Sequence, residues 1–404
     1  MLIAHKIALN PNNKQATHFA QAAGIARLAY NWALAEWTRQ YSAWKTDNNL
    51  SKPSQFSLRK QLNAIKRDQF PYMLDVSKCA PQLAIMQLGQ AFNNFFAGRA
   101  KYPKFRKKGI HDRFSLSNDQ FKVDGRRIKI PNLGWVKLRE ALRFDGKIMS
   151  ATISRQANRW FVSIVVDCVS PTTQKISTPS TVHLSGENQA TPDDGIVGID
   201  LGIKDLATLS TGEKIDNPKA LKRNLQQLQR LSRRLSRKVK GSNNRHKARQ
   251  KLAKLHAKIS HIRQDSLHKL TSSLATRFHT LVIEDLNIQG MLKNRKLSRA
   301  IADMGLFEFR RQLTYKAERH GGQIIVANRW FASSKICSNC QHKHDGLSLS
   351  DREWQCSQCH SQHDRDVNAA VNLKLYAASS AVFADGGEGS GQIGNNLTKP
   401  APLK

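Results

Sequence analysis

Two Cys-x-x-Cys pairs, Cys337/Cys340 and Cys356/Cys359, are separated by fifteen residues and followed closely by Asp364-Arg365-Asp366-Val367-Asn368-Ala369-Ala370. Four thiolates on two tight turns make the soft-donor tetrahedron that zinc prefers, and this spacing is among the more specific signals a sequence carries. Two disulfides are the alternative. They need an oxidising compartment, and Met1 to Leu50 has no charged segment followed by an apolar run. The expected site is structural zinc, closed, with no open position for a substrate. His342, His344, His360 and His363 are nearby substitutes, but with four cysteines in place they are expected at the surface. Cys79 and Cys168 are isolated and read as buried thiols.

Charge narrows the partner. Lys and Arg number 65 against 30 acidic residues, a formal net charge of +35. An excess of this size reads as a footprint for a polyanion, foremost nucleic acid. A membrane surface competes for that role, but no apolar stretch approaches the length of a spanning helix. A chain of 404 residues has room for roughly two to four domains.

Leu2 to Leu9 reads as a strand closed by Asn10-Pro11-Asn12-Asn13. Helical spacing follows, with Ile25, Leu28, Ala29, Trp32, Trp37, Tyr41 and Trp44 largely on one face, better read as core than as a base-stacking surface. Pro81 opens another helix carrying Ile85, Leu88, Phe92 and Phe95. In Arg99 to Gly109 the cations Lys104, Arg106, Lys107 and Lys108 surround the rings of Tyr102 and Phe105. Cations for phosphates among rings for bases suit a single-strand contact; a solvated basic loop is the even alternative. From Arg113 to Val169 short β runs suggest a small antiparallel barrel or sheet, with which the first strand could pair. Ser170 to Gly195 reads as a linker, and Ile196 to Leu201 as an apolar strand opening a meander. Pro218 to Leu274 reads as a basic helical hairpin broken at Gly241-Ser242-Asn243-Asn244, with fifteen Lys or Arg between 219 and 258. Its charges are nearly all of one sign, which favours nucleic-acid contact over an ordinary solvated coiled coil. The strand Leu281-Val282-Ile283, a helix from Ser298 to Arg319, and the strand Gln323 to Ala327 come next. Asn368 to Ala378 reads as a last helix, before a Gly/Ser/Asn/Pro-rich tail.

Three carboxylates sit at element ends. Asp200 lies in the apolar Gly198-Ile199-Asp200-Leu201-Gly202, where an unpaired charge would be costly without a counter-charge such as a metal. Glu284 ends a strand, with Asp285 on the opposite face, and Asp366 precedes the last helix. Each alone is weak evidence, because acidic residues commonly cap elements. In a polyanion-binding chain the three together suggest a hard-oxygen magnesium site, able to hold two ions about 3.5–4 Å apart for phosphodiester hydrolysis.

Gly198-Ile-Asp-Leu-Gly, Ile283-Glu-Asp-Leu-Asn, Ser333-Ser-Lys-x-Cys-Ser-x-Cys and Asp364-Arg-Asp-x-Asn-Ala-Ala-x-Asn together resemble the TnpB family of transposon-encoded RNA-guided DNA nucleases. Upstream, Tyr30-Asn31-Trp32 and Tyr102-Pro-Lys-Phe-Arg-Lys-Lys resemble the family's N-terminal helix and basic loop more loosely. The resemblance implies a multidomain α/β chain whose RNase H-like, RuvC-type nuclease domain (196–331 and 361–378) carries an inserted zinc ribbon (332–360). It implies a wedge-type β-barrel (1–10 and 113–169) interrupted by a helical recognition domain (11–112), a linker (170–195) and a disordered tail (379–404). Asp200, Glu284 and Asp366 match the catalytic magnesium ligands, with Asp364 as the alternative third carboxylate. The implied partners are a guide RNA from the transposon end and target double-stranded DNA beside a short flanking motif. The implied location is the cytoplasm of a prokaryotic cell, at the nucleoid. Gln341 and His360 depart from the family, standing where glycine often follows each cysteine pair, and Ala332 stands where proline is common.

Other readings compete. An Asp-Asp-Glu transposase would use a similar core, but the order here is Asp, Glu, Asp. A His-hydrophobic-His transposase is disfavoured by the lysine of His342-Lys343-His344. A ribosome-associated zinc ribbon leaves the carboxylate motifs unexplained. A nuclease-derived regulator, or an accessory transposition protein without guided cleavage, is the alternative to an enzyme.

Overall fold

Hydrophobic alternation at the N-terminus and helical spacing after it produce the first two elements of the chain in a computed structural model that describes residues 1–168, 195–348 and 351–385. These fall into two units, residues 1–168 and the remainder.

The first unit opens with β1 (Leu2–Asn10) and α1 (Asn13–Thr46). Asn12 starts the helix with a capping box: its side chain accepts the Gln15 N–H, and the Gln15 side chain accepts the Asn12 N–H. Then come α2 (Gln55–Gln69), without counterpart in the sequence reading, and α3 (Cys79–Phe96), which places Pro81 in its first turn. Strands β2 (Arg113–Ser117), β3 (Lys122–Asp124), β4 (Arg127–Ile130), β5 (Gly134–Leu138), β6 (Lys147–Gln156) and β7 (Arg159–Asp167) complete a seven-stranded sheet ordered β2-β6-β7-β1-β5-β4-β3. β1 runs antiparallel to β7 from Leu2 to Ala8 and meets β5 at Leu9 and Asn10, so the helices are an excursion between paired strands. The aromatic stripe of α1 is core: Trp37 stacks on Phe92 with centroids 4.3 Å apart, and Phe19 meets Trp160 edge-on at 5.3 Å.

The second unit is built on β8 (Ile196–Asp200), β9 (Asp205–Leu209) and β10 (Lys214–Asp216), followed by the hairpin α4 (Ala220–Ser236) and α5 (Asn243–Arg277). Next are β11 (Thr280–Glu284), α6 (Ile288–Lys293), α7 (Ser298–Met304), α8 (Leu306–Arg319) and β12 (Gln323–Ala327). The sheet order is β10-β9-β8-β11-β12, with β8, β11 and β12 parallel and the other pairs antiparallel. The expected single helix from Ser298 to Arg319 is two, because Gly305 adopts φ +72° and ends α7. Asp303, buried, accepts the N–H groups of Leu221 and Lys222 and pairs with Arg263 at 2.8 Å. It therefore caps α4 from across the fold, where Lys219 offers no side-chain cap. The ribbon strands β13 (Glu353–Gln355) and β14 (Gln362–Asp364) pair antiparallel, so the ribbon runs past residue 360. The last helix, α9 (Arg365–Asp385), is longer than expected, and residues 379–385 belong to it and not to a tail. Residues 170–194 of the expected linker and 386–404 of the expected tail lie outside the described residues. Among the described residues no helix is long and apolar enough to cross a membrane.

Candidate carboxylate and cysteine sites

β8 and β11 are neighbours with Ile199 opposite Ile283, so Asp200 and Glu284, the next residue of each, end the two strands side by side. Asp366 arrives on α9, and Gly198 explains how. A Cβ on Gly198 would lie 1.9 Å from the Ala370 carbonyl oxygen and 2.6 Å from the Lys374 nitrogen, so the helix backbone rests on the bare strand. Ala370 is four residues after Asp366, and Gly198 two before Asp200. One helical turn advances about 6 Å and two strand residues about 6.6 Å, so seating Ala370 on Gly198 brings Asp366 to Asp200.

The electrostatics register this convergence. Burial first, then the charges of Glu284 and Asp366, push the Asp200 carboxyl up from its ordinary 3.8 to about 7, against the pull of Arg365 and the Leu201 N–H. Glu284 is oriented by the buried Ser333, whose hydroxyl donates to its Oε1 at 2.5 Å. Asp366 is approached by Arg352 at 3.3 Å and by Arg365 at 3.9 Å.

Two other carboxylates of the motifs are occupied. Asp364 Oδ1 accepts the N–H groups of Asp366 and Val367, capping α9, while Oδ2 takes Lys214 Nζ at 2.6 Å. Burial pushes its pKa up, but Lys214 and the backbone donors prevail and hold it below the ordinary value. Asp285 is held by Arg310 at 3.1 Å and Arg329 at 2.6 Å. Asp200 thus has the charges of Glu284 and Asp366 as neighbours, and three carboxylates are oxygen donors of the kind a hard divalent cation takes. Ser333 and Gly198 stand inside the sequence motifs, which assign neither a role. A glycine two residues before an aspartate in an apolar strand was the available signal for the second.

The four cysteine Sγ atoms lie within 4.8 Å of one another. Cys337–Cys359 and Cys340–Cys356 are each 3.6 Å apart, too far for disulfides and close to the ~3.8 Å edge of a tetrahedron with 2.3 Å zinc–sulfur bonds. The donor set therefore fits zinc. Each pair closes the same way: Gln341 N–H donates to the Cys337 carbonyl and His360 N–H to the Cys356 carbonyl, at 2.9 and 3.0 Å. Gln341 and His360, the two departures from glycine, adopt φ +65° and +58°, a left-handed conformation that costs a side chain-bearing residue. His344 and His363 were expected at the surface, yet both pack on the buried Trp354, and His363 Nε2 is 3.1 Å from Cys337 Sγ. Two asparagines of α9 tie the ribbon to the carboxylates. Asn368 accepts the Ser338 N–H and donates to the Ile336 carbonyl; Asn372 donates to the carbonyls of Ser333 and Ile336.

The basic loop of the first unit divides. Arg106 lies 3.7 Å from the Tyr30 ring centroid, donates to Gln87 at 2.9 Å, and has its backbone clamped on both sides by the Asn31 side chain. Burial, more than any neighbouring charge, lowers its pKa to about 10. Its guanidinium, half-buried on Tyr30 and Gln87, has a structural role beside the phosphate contact expected of it. Tyr102 is partly used, edge-on to Phe92 and Phe95 with its hydroxyl 3.1 Å from Thr38. Lys104, Phe105, Lys107 and Lys108 are exposed. In the other unit the α4–α5 hairpin packs Leu221, Leu228 and Leu231 against Leu255, Ile259 and Ile262, leaving its basic residues mostly outward.

Comparison with known proteins gives three family matches: "Probable transposase" of the OrfB IS605 type over residues 173–295, "Cas12f1-like, TNB domain" over 307–373, and "Helix-turn-helix domain" over 1–45. Residues 1–45 here form a strand and most of one long helix. A Streptomyces pristinaespiralis protein named "Putative RNA-guided DNA endonuclease" is 37% identical over 95% of this chain and 91% of its own length. An Escherichia coli K12 protein, "Putative RNA-guided DNA endonuclease InsQ", is 32% identical over 95% of this chain and 94% of its own. The solved Cas12f1–sgRNA–target DNA complex is similar in fold, with TM-score 0.54 and 14% identity over 90% of this chain and 83% of that one.

Proposed function

Because this chain belongs to the TnpB family, we propose that it is an RNA-guided DNA endonuclease whose catalytic carboxylates are Asp200, Glu284 and Asp366. The nearness of two further carboxylates to a half-buried Asp200 carries this reading. Two antiparallel ladders followed by two parallel ones, centred on β8, support an RNase H-like domain of the RuvC type. The helical excursion from the first sheet supports the interrupted wedge barrel.

These three residues would hold magnesium, which when bound neutralises charge developing on the phosphate and lowers the pKa of an attacking water. Asp200 gives up its proton to become a ligand. Ser333 fixes one oxygen of Glu284 and leaves the other free. Arg352 must release Asp366, and its exposure allows that. The helix cap and lysine that occupy Asp364 favour Asp366 as the third ligand, with Asp364 the alternative that comparing Asp364→Ala and Asp366→Ala would test. Zinc at Cys337, Cys340, Cys356 and Cys359 would hold the ribbon against α9.

A charge of +35 attracts any polyanion by counterion release and cannot choose a sequence. In this reading a guide RNA from the transposon end supplies the choice by base pairing, and the protein reads a short flanking DNA motif. Tyr102, Lys104, Phe105, Lys107 and Lys108 contribute nucleic-acid contacts, in the cytoplasm at the nucleoid. The test is cleavage of matched and mismatched plasmids at fixed salt, with and without RNA. Rewriting the guide should redirect cutting to a new target with the same flanking motif. Cutting that ignores the guide leaves an unguided nuclease, and no cutting leaves the regulator.

A further inference from the structure

Trp330 is 87% exposed, more than any other large apolar side chain of the described residues. A lone exposed aromatic is ordinary. This one is presented by a turn pinned on every side. Its backbone N–H donates to the Asn328 side chain at 2.9 Å. On one flank Arg329 binds both the Asp285 carboxylate, at 2.6 Å, and the Asp285 carbonyl, at 3.3 Å. On the other, Phe331 packs on Tyr376 at 5.0 Å, and Ser333 reaches Glu284. Ala327, three residues before Trp330, is paired with Glu284 across β11 and β12. The indole therefore stands just past the end of β12, beside the strand that ends in Glu284, on a fixed base and with no ring partner among the described residues.

Beside it is an open cleft of about 490 Å³ that Arg310, Arg329 and Asp285 also line. Two guanidiniums against one carboxylate leave the cleft net positive, complementary to phosphate. A flat face next to cations is the composition that grips an unpaired base and its backbone, and a base still in a duplex cannot offer its face.

We propose that Trp330 is a stacking platform for an unpaired base of the DNA strand delivered to Asp200, Glu284 and Asp366, with Arg310 and Arg329 toward the adjoining phosphates. The assignment to the cut strand rests on the nuclease reading; the stacking contact does not. The ring fixes where the strand leaves the site without reading its sequence.

The test is binding of a thymidine tetranucleotide containing one 2-aminopurine to the full, zinc-loaded chain, in buffer without magnesium, at about 0.3 M salt. Salt at that level weakens phosphate contacts elsewhere on the basic surface and leaves stacking intact. Trp330→Ala should raise Kd about 5- to 100-fold and relieve 2-aminopurine quenching, the range expected for losing one stacked base. Trp330→Phe should stay within about threefold of the parent, because it keeps a face. An unchanged Kd in Trp330→Ala, or no tetranucleotide binding by the parent, overturns the platform. Guided cleavage is scored separately: a parent that never cuts but loses the tetranucleotide on Trp330→Ala overturns the nuclease reading alone.

Discussion

The basic loop of the first unit and the carboxylate cluster of the second both take charge out of water, and they treat it in opposite ways. Arg106 is met by everything a buried guanidinium needs: the face of Tyr30, the Gln87 amide, and an Asn31 clamp on its backbone. Asp200 is met by two more carboxylates, and burial first, then their charges, raises its pKa to about 7, more than Arg365 and the Leu201 N–H can offset. Within one motif the contrast is of degree: Asp364 is capped and paired with Lys214 at 2.6 Å, while Asp366, two residues on, has Arg352 at the longer 3.3 Å and adds its charge to that felt by Asp200. A buried charge that the fold satisfies is part of the fold. One left uncompensated marks a place where something else must bind.

The cysteine cluster is the strongest test of that contrast, because its four donors also have chiefly one another. Cys356→Ser, or removal of zinc by a chelator, should cost the ribbon on the order of 10 kcal/mol. The loss should spread through Asn368 and Asn372 to the start of α9 and abolish cutting. Metal analysis and hydrogen exchange over residues 333–374 would check it; a zinc-free protein with full protection would break the comparison.

Asp200→Asn should lower cleavage roughly 10³-fold or more while leaving RNA binding nearly intact. In the magnesium-free protein it should also stabilise. The parent Asp200 carboxyl has a folded pKa of about 7 against an ordinary 3.8. Its protonated form is therefore favoured by folding, so this contribution is fully present below pH ~4 and disappears as pH rises through ~7. Urea melts of the zinc-loaded protein in magnesium-free buffer should show that decline in the parent and lack most of it in Asp200→Asn, with a gain at neutral pH of about 1–3 kcal/mol. Equal pH profiles would mean Asp200 is not under strain.

On the other side of the comparison, Arg106→Ala should destabilise the first unit by about 1–3 kcal/mol, since it removes a cation–ring contact and leaves Gln87 and Tyr30 without their partner. Phe105→Ala, at an exposed ring, should change stability by less than about 0.5 kcal/mol and weaken nucleic-acid binding instead. Denaturation and binding run on both variants sort structural from contacting residues; reversed results would undo the division.

The smallest effect sharpens the picture of the ribbon. Gln341→Gly and His360→Gly relieve a left-handed conformation and should each raise ribbon stability by roughly 0.5–1 kcal/mol. Competition for zinc against a calibrated chelator would detect it.

Much of this was legible because it is local. Cysteine spacing specifies a donor set, period-2 and period-3.6 patterns set strands and helices, and the Gly241 break located the α4–α5 turn. The positions of Asp200, Glu284 and Asp366 at element ends were likewise readable from the runs that precede or follow them. What the sequence left open depends on partners far along the chain. Nothing in Asp364-Arg365-Asp366 tells which aspartate is held by a lysine; Lys214, 150 residues away, takes Asp364. Nothing in Lys104 to Lys108 singles out Arg106; Tyr30 and Asn31 do, from the opposite end of the helical region. Gly198 reads as a small residue in a strand until Ala370 is laid on it, and Asp303 reads as an ordinary helix residue until α4 presents its N-terminus. The sequence by itself determined which chemical groups this protein has and roughly which element carries each, because ligand identity and periodicity need only neighbouring residues. Which of those groups are satisfied and which are left to act was decided by the tertiary structure alone, because satisfaction is a matter of distance in space, and burial makes an unmet charge count.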